Sequence, residues 1–333
     1  MSTVYVTQED AFIAKVDERL NVKFEKKTIL DVPLIKVSGV VIMGRANISP
    51  AAISELINHK ISLTFLTANG KYIARIESDM SKNVLLRAAQ WKAAGDSPQA
   101  IHVTKGFVRG KLKNYRTYLL QTQRNHSSLN LSFSIDQLGN AIASLDKATS
   151  IDSIRGFEGA GSAAYFGCFN QLIRVDEFSF KNRNRRPPTD PVNSLLSLGY
   201  SLLRHHVHST INIVGFDPYL GYLHTQRYGR PSLSLDLMEE FRPLIDAIVL
   251  NTINSRLLVP NDFITEPLSG AVSLTKEALH KFLRIYQEKI LKKYTHPVMQ
   301  KQHTYQEIFE IQARFLAKYL MGEIDKYPPL IMK

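Results

Sequence analysis

The sequence predicts an α+β protein: an N-terminal β-rich domain with one or two helices, followed by a larger all-α domain. Three observations predict it. Residues 1–78 carry β-branched and apolar residues in partly alternating runs with short polar breaks. From residue 83 to residue 333 apolar positions recur at helical spacing almost throughout. The chain has 333 residues and is 44% hydrophobic, enough for one large or two moderate cores.

The elements follow in order. TVYVT (3–7), AFIAKVDERLNVKF (11–24) and TILDVPLIKVSGVVIM (28–43) read as strands. Ser49 and Pro50 open a helix, as cap and first-turn proline. ISLTFLTANGKYIARIES (61–78) reads as a hairpin turning at Asn69-Gly70. The polar stretch Glu77–Lys82 holds the linker, residues 79–82, between the domains. Next, Val108, Leu112, Tyr115 and Leu119 share one helical face, and Lys105, Arg109, Lys113 and Arg116 another. Such a basic stripe is either a solvated face or a contact for a DNA backbone. KNRNRR (181–186) places Arg183, Arg185 and Arg186 in a loop able to grip phosphates or to lie in solvent. A proline-stiffened loop then leads to a helix starting near Asn193. That helix carries His205, His206 and His208, which without HExxH or cysteine companions read as surface or polar-network residues. Leu279, Phe282, Leu283 and Tyr286, then Ile308, Ile311, Phe315 and Tyr319, mark two amphipathic helices, and Tyr327-Pro328-Pro329 stops the last.

Net charge is +12, and it is unevenly spread. The first 80 residues hold 10 basic against 9 acidic side chains; the remainder holds 32 against 21. A surplus confined to one domain favours a polyanionic partner through phosphate contacts and counterion release, with solubility alone as the other reading. Cys168, the single cysteine, allows no internal disulfide and reads as a small buried hydrophobe. No basic-then-apolar leader and no run of about 18 apolar residues is present, so the expectation is a soluble, cytoplasmic protein that does not span a membrane.

Chemistry concentrates between Gly215 and Pro243. His224 follows an apolar-aromatic lead-in, and Asp236 and Glu239 open an apolar-periodic segment. On a continuous helix their spacing puts both carboxylates on one face. Pro243 would clash with the carbonyl of Glu239, which predicts a kink there or a fresh helix start. First-turn acids also stabilise a helix through its dipole, with no further role. Upstream, Glu158 stands among Gly156, Gly159, Ala160 and Gly161, where an unpaired carboxylate is costly. It is either salt-bridged to Arg155 or another base, or a metal ligand from a separate helix.

Four motifs in order, RGFEG, RRPPTDPVNSLLSLGY, GFDPYLGYLH and SLSLDLMEEFRP, resemble the CRISPR adaptation integrase family, over roughly residues 155–245. The resemblance implies that Glu158, His224 and Asp236 bind a divalent ion, Mg²⁺ or Mn²⁺, with Glu239 as a further candidate, direct or through water. It implies a metal-dependent DNA endonuclease and integrase. A fragment's 3′-hydroxyl would attack a phosphodiester at the edge of a CRISPR repeat. It implies double-stranded DNA (prespacer and repeat) as substrate, homodimerisation through residues 1–78, and a small ferredoxin-like adaptation partner. The alternatives are a general structure-specific metal nuclease and a non-catalytic DNA-binding scaffold.

Overall fold

The run Val37–Met43 joins the two halves of the molecule. It is apolar at successive positions, as a strand buried on both faces must be. In the computed structural model it is the fifth strand, β5, and lies between two parallel neighbours. Val40 and Ile42 face the core of the β-rich region, and Val41 and Met43 face the helical core. The structure describes residues 2–68, 70, 72–76, 83–95 and 97–332. The expected linker 79–82 and Asn69 of the expected turn lie outside them.

The β-rich region comprises β1 (Ser2–Val6), β2 (Ala11–Val16), β3 (Arg19–Phe24), β4 (Lys27–Pro33), β5 (Val37–Met43), β6 (Ala46–Ile48), α1 (Pro50–Asn58), β7 (Ser62–Leu66) and β8 (Tyr72–Ile76). They form two four-stranded sheets, β1-β5-β7-β8 and β4-β3-β2-β6. The stretch 11–24 is a hairpin and not one strand, because the chain reverses at Asp17 with φ +50. Ser49 caps α1 by accepting from Ala52 N, and Pro50 fills the first turn as expected.

The rest is α2 (Val84–Lys92), α3 (Pro98–Asn125), α4 (Ser132–Lys147), α5 (Ile151–Gly167), α6 (Pro191–Val214), α7 (Ser232–Leu237), α8 (Arg242–Asn254), α9 (Lys276–Leu291) and α10 (Tyr305–Leu320). It is not purely helical. Two short antiparallel pairs interrupt it, β9 (Phe263–Thr265) with β10 (Val272–Leu274), and β11 (Lys293–Thr295) with β12 (Gln302–Thr304). Three residues are too short for a periodic pattern to reveal. Cys168 is buried, and none of the described helices is long and apolar enough to cross a membrane. The histidines of α6 are not a metal group. His205 packs on Tyr72, His206 on Tyr286 and Phe309, and His208 Nδ1 pairs with Ser234 Oγ at 3.0 Å. Burial pushes all three below the usual imidazole range, so they are neutral.

The C-terminal tail locks the centre of the helical region. Tyr327 and Leu330 are buried. Glu240, also buried, accepts from Tyr327 OH at 2.5 Å, Leu330 N at 2.7 Å and Gln312 Nε2 at 2.8 Å. Asn114 Nδ2 ties the carbonyls of Glu240 and Leu330 at 3.0 Å each. Burial pushes the Glu240 carboxyl up to about 8, against the pull of those donors. A folded-state value above the unfolded one favours the protonated fold, so this contribution is present below about pH 4.5 and lost as the pH rises through about 8. Asp246, pushed up by burial to about 7, acts with the same sign. Below about pH 6.5 the three buried neutral histidines act with the opposite sign, so thermal unfolding should show Tm falling only from about pH 6.5 to pH 8. Glu240→Gln, which mimics the neutral acid, should flatten that slope; an unaltered slope would mean the carboxyl is ionised throughout.

Candidate active site

The site is assembled from α3, α5, α6 and α8, the loops before α6 and α7, and the turn that follows α7. Proline 243 sets its geometry: α7 ends at Leu237, a 3₁₀ turn covers Met238–Phe241, and α8 starts afresh with Pro243 in its first turn. Leu237 and Met238 keep right-handed helical dihedrals, so Asp236 and Glu239, three apart, stay on one side and flank the two ring nitrogens of His224.

Asp236 is fully buried and turns to the loop before it. Its oxygens accept from Tyr222 N at 2.5 Å, Leu223 N at 2.9 Å and His224 N at 2.9 Å. Its Oδ1 also takes the His224 ring nitrogen Nδ1 at 2.7 Å. An ionised carboxylate only accepts, so Nδ1 carries the proton and Nε2 is left with its lone pair. The loop reaches Asp236 only because residue 221 is glycine: a β-carbon there would stand 2.6 Å from Asp236 Oδ2 and 2.7 Å from the Ser232 carbonyl carbon. The ligand set implied by the resemblance included Asp236; in the structure its oxygens are engaged by four N–H groups and it does not line the cavity.

Glu239 lies on the cavity side of the same imidazole. It lines a cavity of about 530 Å³ with His224, Glu158 and Lys111. His224 Nε2 lies 4.0 Å from Glu239 Oε1, which also accepts from Arg242 Nε at 2.7 Å. Glu239 Oε2 lies 2.7 Å from Lys111 Nζ, an ion pair without a directed hydrogen bond. Burial alone would raise this carboxyl, but the Arg242 guanidinium and the Lys111 ammonium hold it at about 2.

Glu158 arrives from α5. Gly161 lets that helix lie against α3, since a methyl group there would overlap Leu112. The Glu158 carboxylate accepts from Ser162 Oγ at 2.8 Å and pairs with Lys111. The base beside it is thus Lys111 and not Arg155, which pairs with Asp152 and donates to Leu223 O at 2.6 Å.

The remaining wall is cationic: Arg155, Arg183, Arg185, Arg230 and Arg242. Arg183 is held by Asn193 Oδ1 at 2.6 Å and Ser197 Oγ at 3.1 Å, and it stacks 5.6 Å from the Tyr200 ring centre. Arg242 stacks on the same ring at 4.8 Å, and the Tyr200 hydroxyl donates to buried Asp246. Of the expected basic residues, Arg183 and Arg185 face the cavity, and Arg186 is exposed outside it. Lys105 and Arg109 are spent on α4, Nζ donating to Asp146 O at 2.9 Å and the guanidinium pairing with the Asp146 carboxylate. Lys113 is half-buried on α3 and does not line the cavity.

Lys111 and Arg242 escaped the sequence reading. A signal existed for the first: Lys111 stands three after Val108 and four before Tyr115, inside the apolar stripe, where a lysine needs a partner. For Arg242, the signal was its place three after Glu239. Elsewhere, Glu18, Glu55 and His59 bring ligand atoms within 4.8 Å of one another. They lie on the surface of the β-rich region, with Glu55 tied to Lys15 at 3.0 Å and His59 at 3.3 Å, and contain none of the motif residues.

Carboxylates and an imidazole facing a guanidinium-lined cavity define an enzyme of phosphodiester chemistry. The chain belongs to the CRISPR-associated protein Cas1 family, whose model matches residues 4–288. It is 37% identical over 336 residues to the CRISPR-associated endonuclease Cas1 3 of Thermus thermophilus, covering 100% of this chain and 98% of that one. Among solved structures, a casposase bound to integration product shares its fold with a TM-score of 0.87 at 24% identity, over 100% of this chain and 95% of that one. A Cas6-RT-Cas1–Cas2 complex gives a TM-score of 0.83 at 24% identity, over 99% of this chain and 36% of the matched chain.

Proposed function

We propose that Glu158, His224 and Glu239 hold one divalent ion, Mg²⁺ or Mn²⁺, in this Cas1-family endonuclease and integrase, and that Asp236 positions His224. The observation that carries this reading is the convergence of Glu158, His224 and Glu239 on one cavity, while Asp236 is enclosed by N–H donors. The donor set fits a hard ion: two carboxylates, plus an imidazole whose tautomer is fixed by its neighbour. When bound, such an ion polarises a phosphoryl oxygen and neutralises charge developing in an in-line displacement.

The protein's own groups do the rest. Asp236 and the loop at Tyr222–His224 keep Nε2 turned to the cavity. Arg183 and Arg185 take phosphate oxygens of the incoming DNA, Arg183 already oriented by Asn193, Ser197 and Tyr200. Arg242 fixes Glu239. The substrate is double-stranded DNA, a short prespacer fragment whose 3′-hydroxyl attacks a phosphodiester at the edge of a CRISPR repeat. Breaking one phosphodiester as another forms needs no nucleotide energy source. The working assembly is a homodimer joined through residues 1–78 with a small Cas2-type adaptation partner, acting in the prokaryotic cytoplasm. The assay is joining of a labelled fragment to a repeat-bearing plasmid, with the partner present. Covalent joining with Mn²⁺ and none with a chelator is the expected result. Metal-dependent cutting without joining would make the protein a general nuclease, and DNA binding without either would make it a scaffold.

A further inference from the structure

One side chain stands between the two carboxylates that face the cavity. The side chain of Lys111 is 6% exposed; its Nζ pairs with Glu158 and lies 2.7 Å from Glu239 Oε2. A lysine is seldom this buried without paired charge. It enters from α3, whereas the three proposed ligands come from α5, the loop before α7 and the 3₁₀ turn. The ammonium thus sits on the oxygens that a divalent ion would use.

We infer that Lys111 is the built-in counter-cation of this site: its ammonium competes with the divalent ion for Glu158 and Glu239 and must withdraw for the ion to bind. The inference rests on the metal-site reading and deepens it. Two cations on the same oxygens repel strongly, more so in a partly buried site than in water. Without a cation the carboxylates would repel each other, so the ammonium keeps the site intact before metal arrives. A lysine suits such a role, being a compact charge on a flexible stem. The cavity of about 530 Å³ beside it gives room to withdraw, towards a wall lined by Arg155, Arg183 and Arg185. A DNA phosphate drawn to that wall would attract the displaced ammonium, so phosphate and metal would each favour the other's binding.

The test uses the full-length protein and Mn²⁺ alone, with free Mn²⁺ followed by electron paramagnetic resonance and unfolding followed with and without chelator. Lys111→Gln should bind Mn²⁺ at least about tenfold more tightly than the wild type. It should melt lower in chelator and regain that loss when Mn²⁺ is added. Lys111→Arg retains a cation and should stay within about threefold of wild-type affinity. Unchanged or weaker Mn²⁺ binding by Lys111→Gln would overturn the inference. So would a melting loss that Mn²⁺ does not restore, which would make Lys111 a packing residue. If wild-type Mn²⁺ binding is absent, or is indifferent to Glu158→Gln, the metal-site reading fails and this inference with it.

Discussion

Glu239→Gln is expected to abolish DNA joining as completely as Glu158→Gln, each by about a thousandfold or more. Both residues face the cavity, and each supplies charge that an amide lacks. Glutamine keeps the size of the side chain and one acceptor for Arg242, so the fold should survive. The cost in stability arises because Lys111 and Arg242 lose a partner in a buried setting. Circular dichroism and a melting curve check that the variants are folded; a joining assay with Mn²⁺ and the partner reads the effect. The motif pattern alone assigns Glu239 a lesser part than Asp236. Retention of more than about a tenth of wild-type joining by Glu239→Gln would return it to that lesser part.

Asp236→Asn should behave differently, and the difference separates ligand from positioning residue. Its carboxylate accepts four N–H groups, three from backbone and one from His224. Asparagine has one acceptor oxygen, and its NH₂ would face donors. The loop Tyr222–His224 would loosen, leaving buried N–H groups unpaired at about 1–3 kcal/mol each. A clear fall in Tm is therefore expected. Mn²⁺ affinity should fall about 10- to 100-fold with one ion still bound at saturation, as when a group supporting a ligand is lost. Joining should fall with it and recover in part at high Mn²⁺. Loss of all Mn²⁺ binding at an unchanged Tm would make Asp236 a direct ligand.

Much of this was legible in the chain. Glu158 could be singled out because a lone carboxylate among glycines needs a partner, and His224 because of the motif around it. The helix break near Glu239 followed from Pro243. What spacing could not tell was which acid faces the cavity. Three residues apart means one side of the turn, and both acids do flank His224, but only the packing of the loop Tyr222–His224 onto Asp236 leaves Glu239 as the acid that lines the cavity. The base paired with Glu158 was hidden for another reason: Lys111 is 47 residues away in sequence, and only the packing of α3 on α5 brings them together. The stripe of Lys105 and Arg109 shows the opposite failure. A regular basic face on a helix invites a DNA reading, yet it packs beside α4 and bonds Asp146. Charge pattern reports where cations are, and tertiary contacts decide which of them remain for a ligand.

The most direct measurement is a crystal structure of the protein with Mn²⁺, the ion located by its anomalous scattering. The expected result is one ion bonded to Glu158, His224 Nε2 and Glu239 at about 2.0–2.3 Å, with Asp236 still accepting from the backbone of Tyr222–His224 and Lys111 withdrawn from between the carboxylates. An ion bonded to Asp236 with Glu239 still paired to Lys111 and Arg242 would contradict it.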